Sequence, residues 1–324
     1  DAEAVARVLD EYFPNPQRAY PAVCFLGVTE LDGDCVVRMD AVASDSRDRS
    51  QINVPGVALS KGNRCHGVRV GDLYFLSGID AGEDAAVVAD LYTAMAQQLN
   101  TILDRTDAIL KSQGLSLGDI FRNYNFLCLL ADRNVQAAHR DIRRQRLGDV
   151  FKPEEFPAQS RIGVKTLGQN VLQRSVVVAA GDRGKTYVSS DKVRKTPGVF
   201  SQSVRVGDWL FIAGQDSVSL DDKTIGAGDL VTQTEESMMH IKNIVEAAGG
   251  TLDDVIKTTI YLLEGQDCAV FASTYQKFFK TRKRSQWMPA GLTLAVDALR
   301  PECLVEIDAV ACLGSKHGRI EGKS

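Results

Sequence analysis

A stretch of eleven residues occurs twice in this chain, and it limits the possible folds more than any other feature. Residues 68–78 read VRVGDLYFLSG, and residues 204–214, 136 positions later, read VRVGDWLFIAG. Each copy joins two short apolar runs through Gly-Asp, which is a signal for a β-hairpin. Two more matches follow in the same order, 114–120 with 249–255 and 156–158 with 288–290. We therefore interpret the chain as two copies of one domain.

The repeats divide the 324 residues into four parts. We predict an N-terminal extension over 1–54, a diverged first domain over 55–182, a second domain over 186–313 and a polar tail over 314–324. The extension has no counterpart before the second repeat, so we expect it to cover a sheet edge or to close a pocket.

Within the extension, the pattern predicts a short helix from Ala4 to Tyr12 and strands at 22–28 and 35–42 around an Asp32-Gly33 turn. Residues 44–54 are polar and predict a loop. The basic run 280–284 in the second repeat is typical of a solvated turn after a helix.

Both repeats show the order ββ-α-β-α-ββ. The predicted elements of the first are helices over 87–113 and 134–147 and strands over 120–130, 160–166 and 171–180. Those of the second are helices over 230–248 and 268–280 and strands over 204–213, 255–263, 291–297 and 303–312. This order predicts an α+β fold of two tandem domains, each a mixed sheet with two helices on one face.

Composition excludes several classes of partner. Apolar content of 44% and charged content of 25% are typical of a soluble globular protein. A net charge of −4 argues against nucleic acid, which usually needs a basic face. We expect no membrane span, since no run approaches about 18 apolar residues, and no signal peptide. Seven cysteines without CxxC spacing predict reduced thiols in a cytoplasmic protein, and four scattered histidines predict no metal or other cofactor.

The second repeat resembles the RidA (YjgF-type) family along nearly all its length. The residues that carry the resemblance are 200–204 (FSQSV), 206–208 (VGD), 211–215 (FIAGQ), 246–259 (EAAGGTLDDVIKTT), 289–290 (PA) and 305–311 (VEIDAVA). The resemblance implies a chorismate-mutase-like α+β domain that assembles in threes, with small-molecule pockets between neighbouring domains. It also implies hydrolysis of reactive enamines and imines, and it makes Phe200 and Gln215 candidate substrate contacts.

The arginine that RidA enzymes carry after Pro-Ala, where it holds the substrate carboxylate, is missing from both repeats. Gln159 follows Pro157-Ala158, and Gly291 follows Pro289-Ala290. Arg161 lies two residues beyond Gln159 and would face the same side of a strand, so it is a candidate substitute. Phe200, moreover, lacks the hydroxyl of the aromatic residue expected there.

Glu306 matches the family's pocket glutamate, and we predict it as the catalytic residue. Glu306 and Asp308 would share one face of a strand, where they could also be a pair of solvated acids. The corresponding position of the first repeat is Arg174, which we expect to be a salt-bridge partner rather than a catalyst.

The whole layout also resembles the chorismatases, two-domain members of the same superfamily. The matching residues are Asn123-Tyr124, Arg140-Asp141 with Arg146, Pro157-Ala158 followed by Ile162-Gly163, and 304–307 (LVEI). This resemblance implies hydrolysis of the enol-ether side chain of chorismate with release of pyruvate, with Glu306 as the acid and first-domain arginines as carboxylate anchors. Arg140, Arg146 and Arg161 are the candidate anchors, and Tyr124 and Gln159 are further candidate contacts. Arg143 and Arg144 are assigned to the solvent face of their helix, and His139 to the helix surface or to an interface.

Leu299 departs from the chorismatase pattern, which has a small residue seven positions before the glutamate. This departure favours a different small acid from a biosynthetic pathway as the substrate. Three functions stay open: a chorismatase-like hydrolase or lyase, a RidA-like deaminase that uses Arg161, and a non-catalytic binding or scaffold protein. A homo-oligomer is expected, with a trimer preferred over a monomer whose two domains pack face to face.

Overall fold

The computed structural model describes residues 2–13, 20–28, 37–83, 85, 90–181, 184–279 and 288–313. The expected Asp32-Gly33 turn, the basic run 280–284 and the polar tail lie outside the described residues, as does the predicted helix start at residue 87.

After helix α1 (Ala2–Tyr12) of the extension, the first repeat forms a seven-stranded mixed sheet in the described part of the chain. Its strands are β1 (Arg49–Ile52), β2 (Gly67–Val70), β3 (Leu73–Leu76), β4 (Ile79–Asp80), β5 (Ile120–Leu127), β6 (Ala158–Gly163) and β7 (Gln173–Ala180). They lie in the order β1-β2-β3-β7-β5-β6, with β4 paired to β7. Helices α2 (Leu91–Lys111) and α3 (Arg133–Leu147) pack on one face, and each begins after an aspartate whose carboxylate caps the first turn.

The second repeat forms a six-stranded sheet in the described residues. Its strands are β8 (Lys185–Val188), β9 (Ser203–Val206), β10 (Trp209–Gln215), β11 (Val255–Leu263), β12 (Ala290–Val296) and β13 (Val305–Cys312), in the order β12-β11-β13-β10-β9-β8. Helices α4 (Leu230–Ala247) and α5 (Cys268–Gln276) cover one face, again after capping aspartates. Short 3-10 turns precede β5 (Leu117–Asp119) and β11 (Leu252–Asp254), and a third follows α5 (Lys277–Phe279). The predicted α+β class with two tandem sheets is confirmed.

The repeated Gly-Asp pairs form the hairpin turns that the sequence predicts. Val70 pairs with Leu73, and Val206 pairs with Trp209, so each turn contains two residues. Gly71 has a φ of 56° and Gly207 a φ of 60°. A two-residue hairpin turn of this kind needs a positive φ at its first position, and glycine adopts it without steric cost.

Three predictions in the extension were wrong. Residues 37–42, the described part of the strand expected over 35–42, form no strand. Residues 49–52, expected in a loop, form β1, because Ile52 is buried and the segment pairs with β2 in an antiparallel ladder. Residues 22–28, expected as a strand, run extended over the first domain with one bridge, from Gly27 to Thr166. Separate hydrogen bonds join them to the first domain instead, for example Gly78 N–H donating to Val23 O at 2.8 Å.

The two sheets pack face to face through the surfaces that their helices leave uncovered. Phe121 of the first domain contacts Phe211 of the second, with ring centroids 4.8 Å apart. A second interdomain cluster contains Phe126, Ile162, Tyr261, Leu294 and Leu299. The helices therefore lie outside, and each domain has one core beneath its helices and shares another with its neighbour.

Edge strand β6 makes close backbone contacts with the second domain. Ala158 bridges to Ser201 and Gly163 bridges to Ala298. A Cβ at Gly163 would lie 2.7 Å from the Cβ of Ala298, so glycine permits this contact. The part of the chain that the structure describes contains no helix long and apolar enough to cross a membrane.

Candidate active site

Glu306 lies on β13, in the interior of the second sheet. Val305 and Ile307 point into the core beneath the helices, whereas Glu306 and Asp308 point toward the first domain, as the strand alternation predicts. The Glu306 side chain is largely buried, with 7% of the residue exposed. It makes no hydrogen bond or ion pair to any of the described residues.

The space for this carboxyl group comes from a glycine of the repeated stretch. A Cβ at Gly214 would lie 1.8 Å from Glu306 Oε1, a severe steric clash, so any other residue here would displace the carboxyl group. A β-bulge between Ile212 and Gln215 shifts the strand at this point. In the first domain Gly78 has the same role, since a Cβ there would lie 2.8 Å from Arg174 Cδ.

Asp216 follows the bulge and lies across from Glu306. Gln215 pairs with Ile307, and continuing this antiparallel register places Asp216 beside Glu306. Asp216 is half-buried, and no side chain among the described residues donates a hydrogen bond to its carboxylate. Its main-chain oxygen accepts a hydrogen bond from His240 Nδ1 at 3.0 Å.

Burial raises the pKa of Glu306 well above its usual range. The negative charges of Asp216 and Asp308 raise this pKa further, and the cations Arg161 and Arg122 oppose the shift in part. Glu306 therefore keeps its proton at pH values at which an exposed glutamate is ionised.

Burial also raises the pKa of Asp216. Three cationic or protonatable groups counteract this effect: Arg300, Arg194 and His240. The two neighbouring acids thus differ in their surroundings, with more cationic charge around Asp216.

Arg161 lies on edge strand β6, where Ala158, Ser160 and Ile162 face the second domain and Gln159 and Arg161 face the helices. This is the shared face predicted for Gln159 and Arg161. Burial lowers the pKa of Arg161, whereas Glu306 raises it. Among the described residues its guanidinium has no ion pair, so it is available to an anion.

Helix α3 places two more protonatable groups near Arg161. His139 and Arg143 are four residues apart, on the buried side of the helix. Arg143 Nη2 donates a long hydrogen bond of 3.5 Å to Val199 O. His139 Nε2 is buried and has no hydrogen-bond partner among the described residues. Burial and the nearby charge of Arg161 lower the pKa of Arg143 to about 10. The expectation that Arg143 lies on the solvent face was wrong, whereas Arg144 is exposed as predicted. His139 is buried, which rules out the surface position that was one of its two expected places.

Asp308 belongs to a closed network between the domains. Its Oδ2 accepts from Arg122 Nη2 at 3.0 Å, from Ser160 Oγ at 3.0 Å and from Tyr261 OH at 3.2 Å. Arg122 also lies over the Tyr124 ring, 3.8 Å from its centroid. Asp308 is therefore not a solvated acid, and its satisfied hydrogen bonds indicate a structural role.

The other predicted contacts have neighbours of their own. Gln159 Oε1 accepts a hydrogen bond from Asn125 at 3.1 Å. Gln215 Nε2 donates to the main-chain oxygen of Ala213 at 3.0 Å, and Phe200 packs on the interdomain core. Tyr124 stacks on Arg122. Phe200 and Tyr124 thus lie at the contact between the domains. The side chains of Gln159 and Gln215 are already used in hydrogen bonds to their own sheets.

The structure separates the arginines predicted on α3. Arg140 contributes to the field that lowers the pKa of Arg161, although its side chain is exposed and bonded to Asp141 at 3.1 Å. Arg146 instead bonds to Asn100 and Asp104 on α2, each at 2.6 Å. Arg146 is therefore engaged by the neighbouring helix and is not brought to Glu306.

The matching position in the first domain is filled by an ion pair. Arg174 donates from Nε to Asp80 Oδ2 at 2.8 Å, which confirms the predicted salt bridge. Its Nη1 donates to Phe25 O at 2.5 Å, so the extension covers this pocket. Arg38 likewise donates to Thr293 O of edge strand β12 at 3.1 Å. The extension thus closes one pocket and contacts one sheet edge.

Sequence reasoning missed Asp216, Arg122 and Arg143. The repeat offset of 136 residues pairs Asp216 with Asp80, and this signal was present in the sequence. Arg122 interrupts an apolar strand, which indicates a buried cation. Arg143 follows the helical spacing of Val135 and Ile142, which places it on the apolar stripe.

Comparisons with known proteins agree with this architecture. A family model described as Endoribonuclease L-PSP matches residues 192–313. A RutC family protein of Pyrococcus horikoshii is 38% identical over 129 residues, which cover 39% of this chain and 97% of that protein. A RutC family protein of Pyrococcus abyssi is 34% identical over 127 residues, which cover 39% and 96%.

A solved chorismatase structure matches over more of the chain. Its TM-score is 0.55 at 15% sequence identity, and the match covers 75% of this chain and 78% of that one. At this identity the likeness concerns the fold alone, and it extends over both domains.

Proposed function

This chain belongs to the RidA (RutC, YjgF-type) family, and we propose that it is a small-molecule enzyme of chorismatase-like type. Its reaction is the acid-assisted hydrolysis or elimination of a carboxylated enol ether or a related metabolite. The observation that carries the proposal is the Glu306 carboxyl group, which is buried between the domains without a described hydrogen-bond partner and lies within the electrostatic influence of Arg161, an arginine without a described ion pair.

Enol-ether hydrolysis begins with a proton transfer to carbon, which requires an acid that is still protonated near neutral pH. Glu306 meets this requirement because burial and neighbouring acids raise its pKa. The proton goes to the methylene carbon, and the adjacent carbon becomes an oxocarbenium centre. Water adds there, and the C–O bond to the leaving alcohol breaks, which releases a 2-keto acid.

Arg161 supplies the carboxylate anchor in this proposal. A guanidinium binds a carboxylate through two parallel hydrogen bonds, and the low polarity around a buried arginine strengthens them. Leu299 is buried in the interdomain cluster that also contains Tyr261, so it leaves less room there than a small residue would. This supports a substrate equal to or smaller than chorismate.

The test is pyruvate release from chorismate, followed with lactate dehydrogenase and by NMR in D2O. We expect Glu306→Gln to fold normally and to lose about 100-fold or more in turnover, since it cannot donate a proton. In D2O the pyruvate methyl group should carry one deuterium from the enzymatic step. Glu246→Gln, an exposed change on α4, is the matched control, and wild-type turnover by Glu306→Gln would exclude this role.

A RidA-like deaminase is the second candidate, and one observation favours it. Arg161 lies on the same face as Gln159, where the family arginine would project, and its guanidinium has no described ion pair. The test is ammonia release from 2-aminoacrylate generated by a dehydratase. A rate equal to that in buffer excludes this function.

We also propose that the protein acts on a small carboxylated metabolite as a homotrimer, following the three-fold assembly that the family resemblance implies. Each chain would contribute two domains to stacked rings of three. Light scattering that gives the mass of a single chain would contradict this assembly.

A further inference from the structure

We propose that Asp216 and Glu306 form a carboxyl pair that shares one proton, in which Glu306 is the acid and Asp216 is the base for the attacking water. The assignment of base and acid rests on the proposed function, whereas the shared proton depends on the two side chains alone.

The internal repeat supplies the geometry. Asp80 and Arg174 occupy the equivalent ladder positions in the first domain, and their side chains meet at 2.5 to 2.8 Å. The second domain has an aspartate, Asp216, at the matching position, the same strand register, and a glycine, Gly214, that leaves room for the opposite side chain. Glu306 takes the place of the arginine. An arrangement that holds an ion pair in one domain therefore brings two acids together in the other.

Three of the arginines near these two acids are engaged elsewhere, and Arg161 forms no described ion pair with either acid. Arg122 binds Asp308, and Arg194 and Arg300 both bind Asp222, the latter at 2.9 Å. None of these arginines forms a described ion pair with Asp216 or Glu306. Two adjacent carboxyl groups without a direct cation cannot both ionise at low cost, so one of them retains a proton.

The surroundings decide which acid retains it. Glu306 is 7% exposed, whereas Asp216 is half-buried and lies in the field of Arg300, Arg194 and His240. The charged groups that face Glu306 from the packed strands are Asp308, Arg161 and Arg122. Asp216 is therefore the better carboxylate and Glu306 the better acid, and a pair of carboxyl groups in unequal environments can supply both functions.

The protons balance over one catalytic cycle. Glu306 gives its proton to the methylene carbon, and the Asp216 carboxylate takes a proton from the water that attacks the oxocarbenium carbon. When the C–O bond breaks, protonated Asp216 gives its proton to the departing oxygen. The hemiketal hydroxyl returns a proton to Glu306 as the keto group forms, so one water is consumed and both acids are restored.

The first experiment compares Asp216→Asn with Asp221→Asn, an exposed change in the following loop, using chorismate as substrate. We expect Asp216→Asn to lose about 100-fold or more in kcat with little change in KM, and to lose one limb of the pH–rate profile. Formate should restore part of the activity of Asp216→Ala, which a structural role would not allow. Wild-type kcat in folded Asp216→Asn overturns the base assignment.

The second experiment does not depend on turnover. Proteins with 13C-labelled carboxyl groups are titrated by NMR, and Glu306 should titrate at lower pH in Asp216→Asn than in wild type. An unchanged Glu306 titration overturns the shared proton. If wild-type protein does not convert chorismate, the proposed function fails, and this titration still decides whether the pair exists.

Discussion

At the scale of single residues, one exchange distinguishes the two domains. Gly78 and Gly214 both leave room for a side chain of the neighbouring strand, but that side chain is Arg174 in one domain and Glu306 in the other. The first position is closed by Asp80 and the extension, and the second retains an unpaired acid. Duplication thus allowed one copy to carry an ion pair and the other to carry the acid that we propose as the catalyst.

The buried acid should reduce stability as the pH rises. The pKa of Glu306 is raised in the folded state, so the folded chain binds this proton more tightly than the unfolded chain. Above the unfolded pKa of about 4.3, ionisation favours unfolding, until the pH passes the folded pKa. We expect Glu306→Gln to gain stability relative to wild type between pH 5 and pH 8, as measured by urea unfolding. A difference that stays constant over this range, or that Glu246→Gln reproduces, would contradict the raised pKa.

Glu306 could be predicted because the second repeat preserves the sequence around it and because strand alternation fixes its face. Asp216 could not be recognised from local pattern, since a single aspartate after a strand resembles an ordinary turn residue. Its significance depends on the register between β10 and β13, a non-local property. Comparison with Asp80 in the other repeat was the sequence signal that could have identified it.

At the scale of elements, the sheet face beneath α3 is more polar than its counterpart. Ser175 lies opposite Asn125 in the first sheet, whereas Ile307 lies opposite Ile260 in the second. Gln173 Nε2 donates to Asn125 Oδ1 at 3.1 Å and to Ser175 Oγ at 2.9 Å, so most of this polarity is satisfied. The helix boundaries and the apolar stripe of α3 were predictable. The burial of Arg143 depends on the polar side chains of the sheet beneath the helix, which the periodicity of the helix does not reveal.

Replacing Arg143 with methionine should stabilise the folded chain but weaken its binding of a dicarboxylate. Its pKa of about 10 means that burial and Arg161 disfavour the cation, so Arg143→Met should raise the free energy of unfolding at pH 7 by about 1–3 kcal/mol. The same change should weaken binding of isophthalate about 10-fold but alter benzoate binding little, if Arg143 holds a second carboxylate. Urea unfolding and calorimetry measure the two effects, with exposed Arg144→Met as control. Equal losses for both acids would contradict a second anchor.

At the scale of the whole molecule, the interface between the two sheets holds the domains together and also contains the candidate site around Glu306. The repeats and their order of elements were predictable, because hairpin signals and helical periodicity are local. The face-to-face arrangement was not, because it depends on which apolar sheet surfaces meet and on cations such as Arg122 that reach across. Strand β6 links both roles, since Ser160 joins the Asp308 network on one side and Arg161 lies by α3 on the other.

The Arg122–Asp308 contact should therefore control the stability of the whole chain. Both side chains are almost fully buried, at 1% and 3% exposure, so removing one charge leaves the other without compensation. We expect Arg122→Met to lower the free energy of unfolding by about 3–5 kcal/mol. Adding Asp308→Asn should recover part of this loss, because an asparagine can still accept from Ser160 and Tyr261 without an unpaired charge. Urea unfolding of both variants, with the exposed Arg144→Met as control, measures this coupling. A single variant as stable as wild type would show that the charge pair does not hold the domains together.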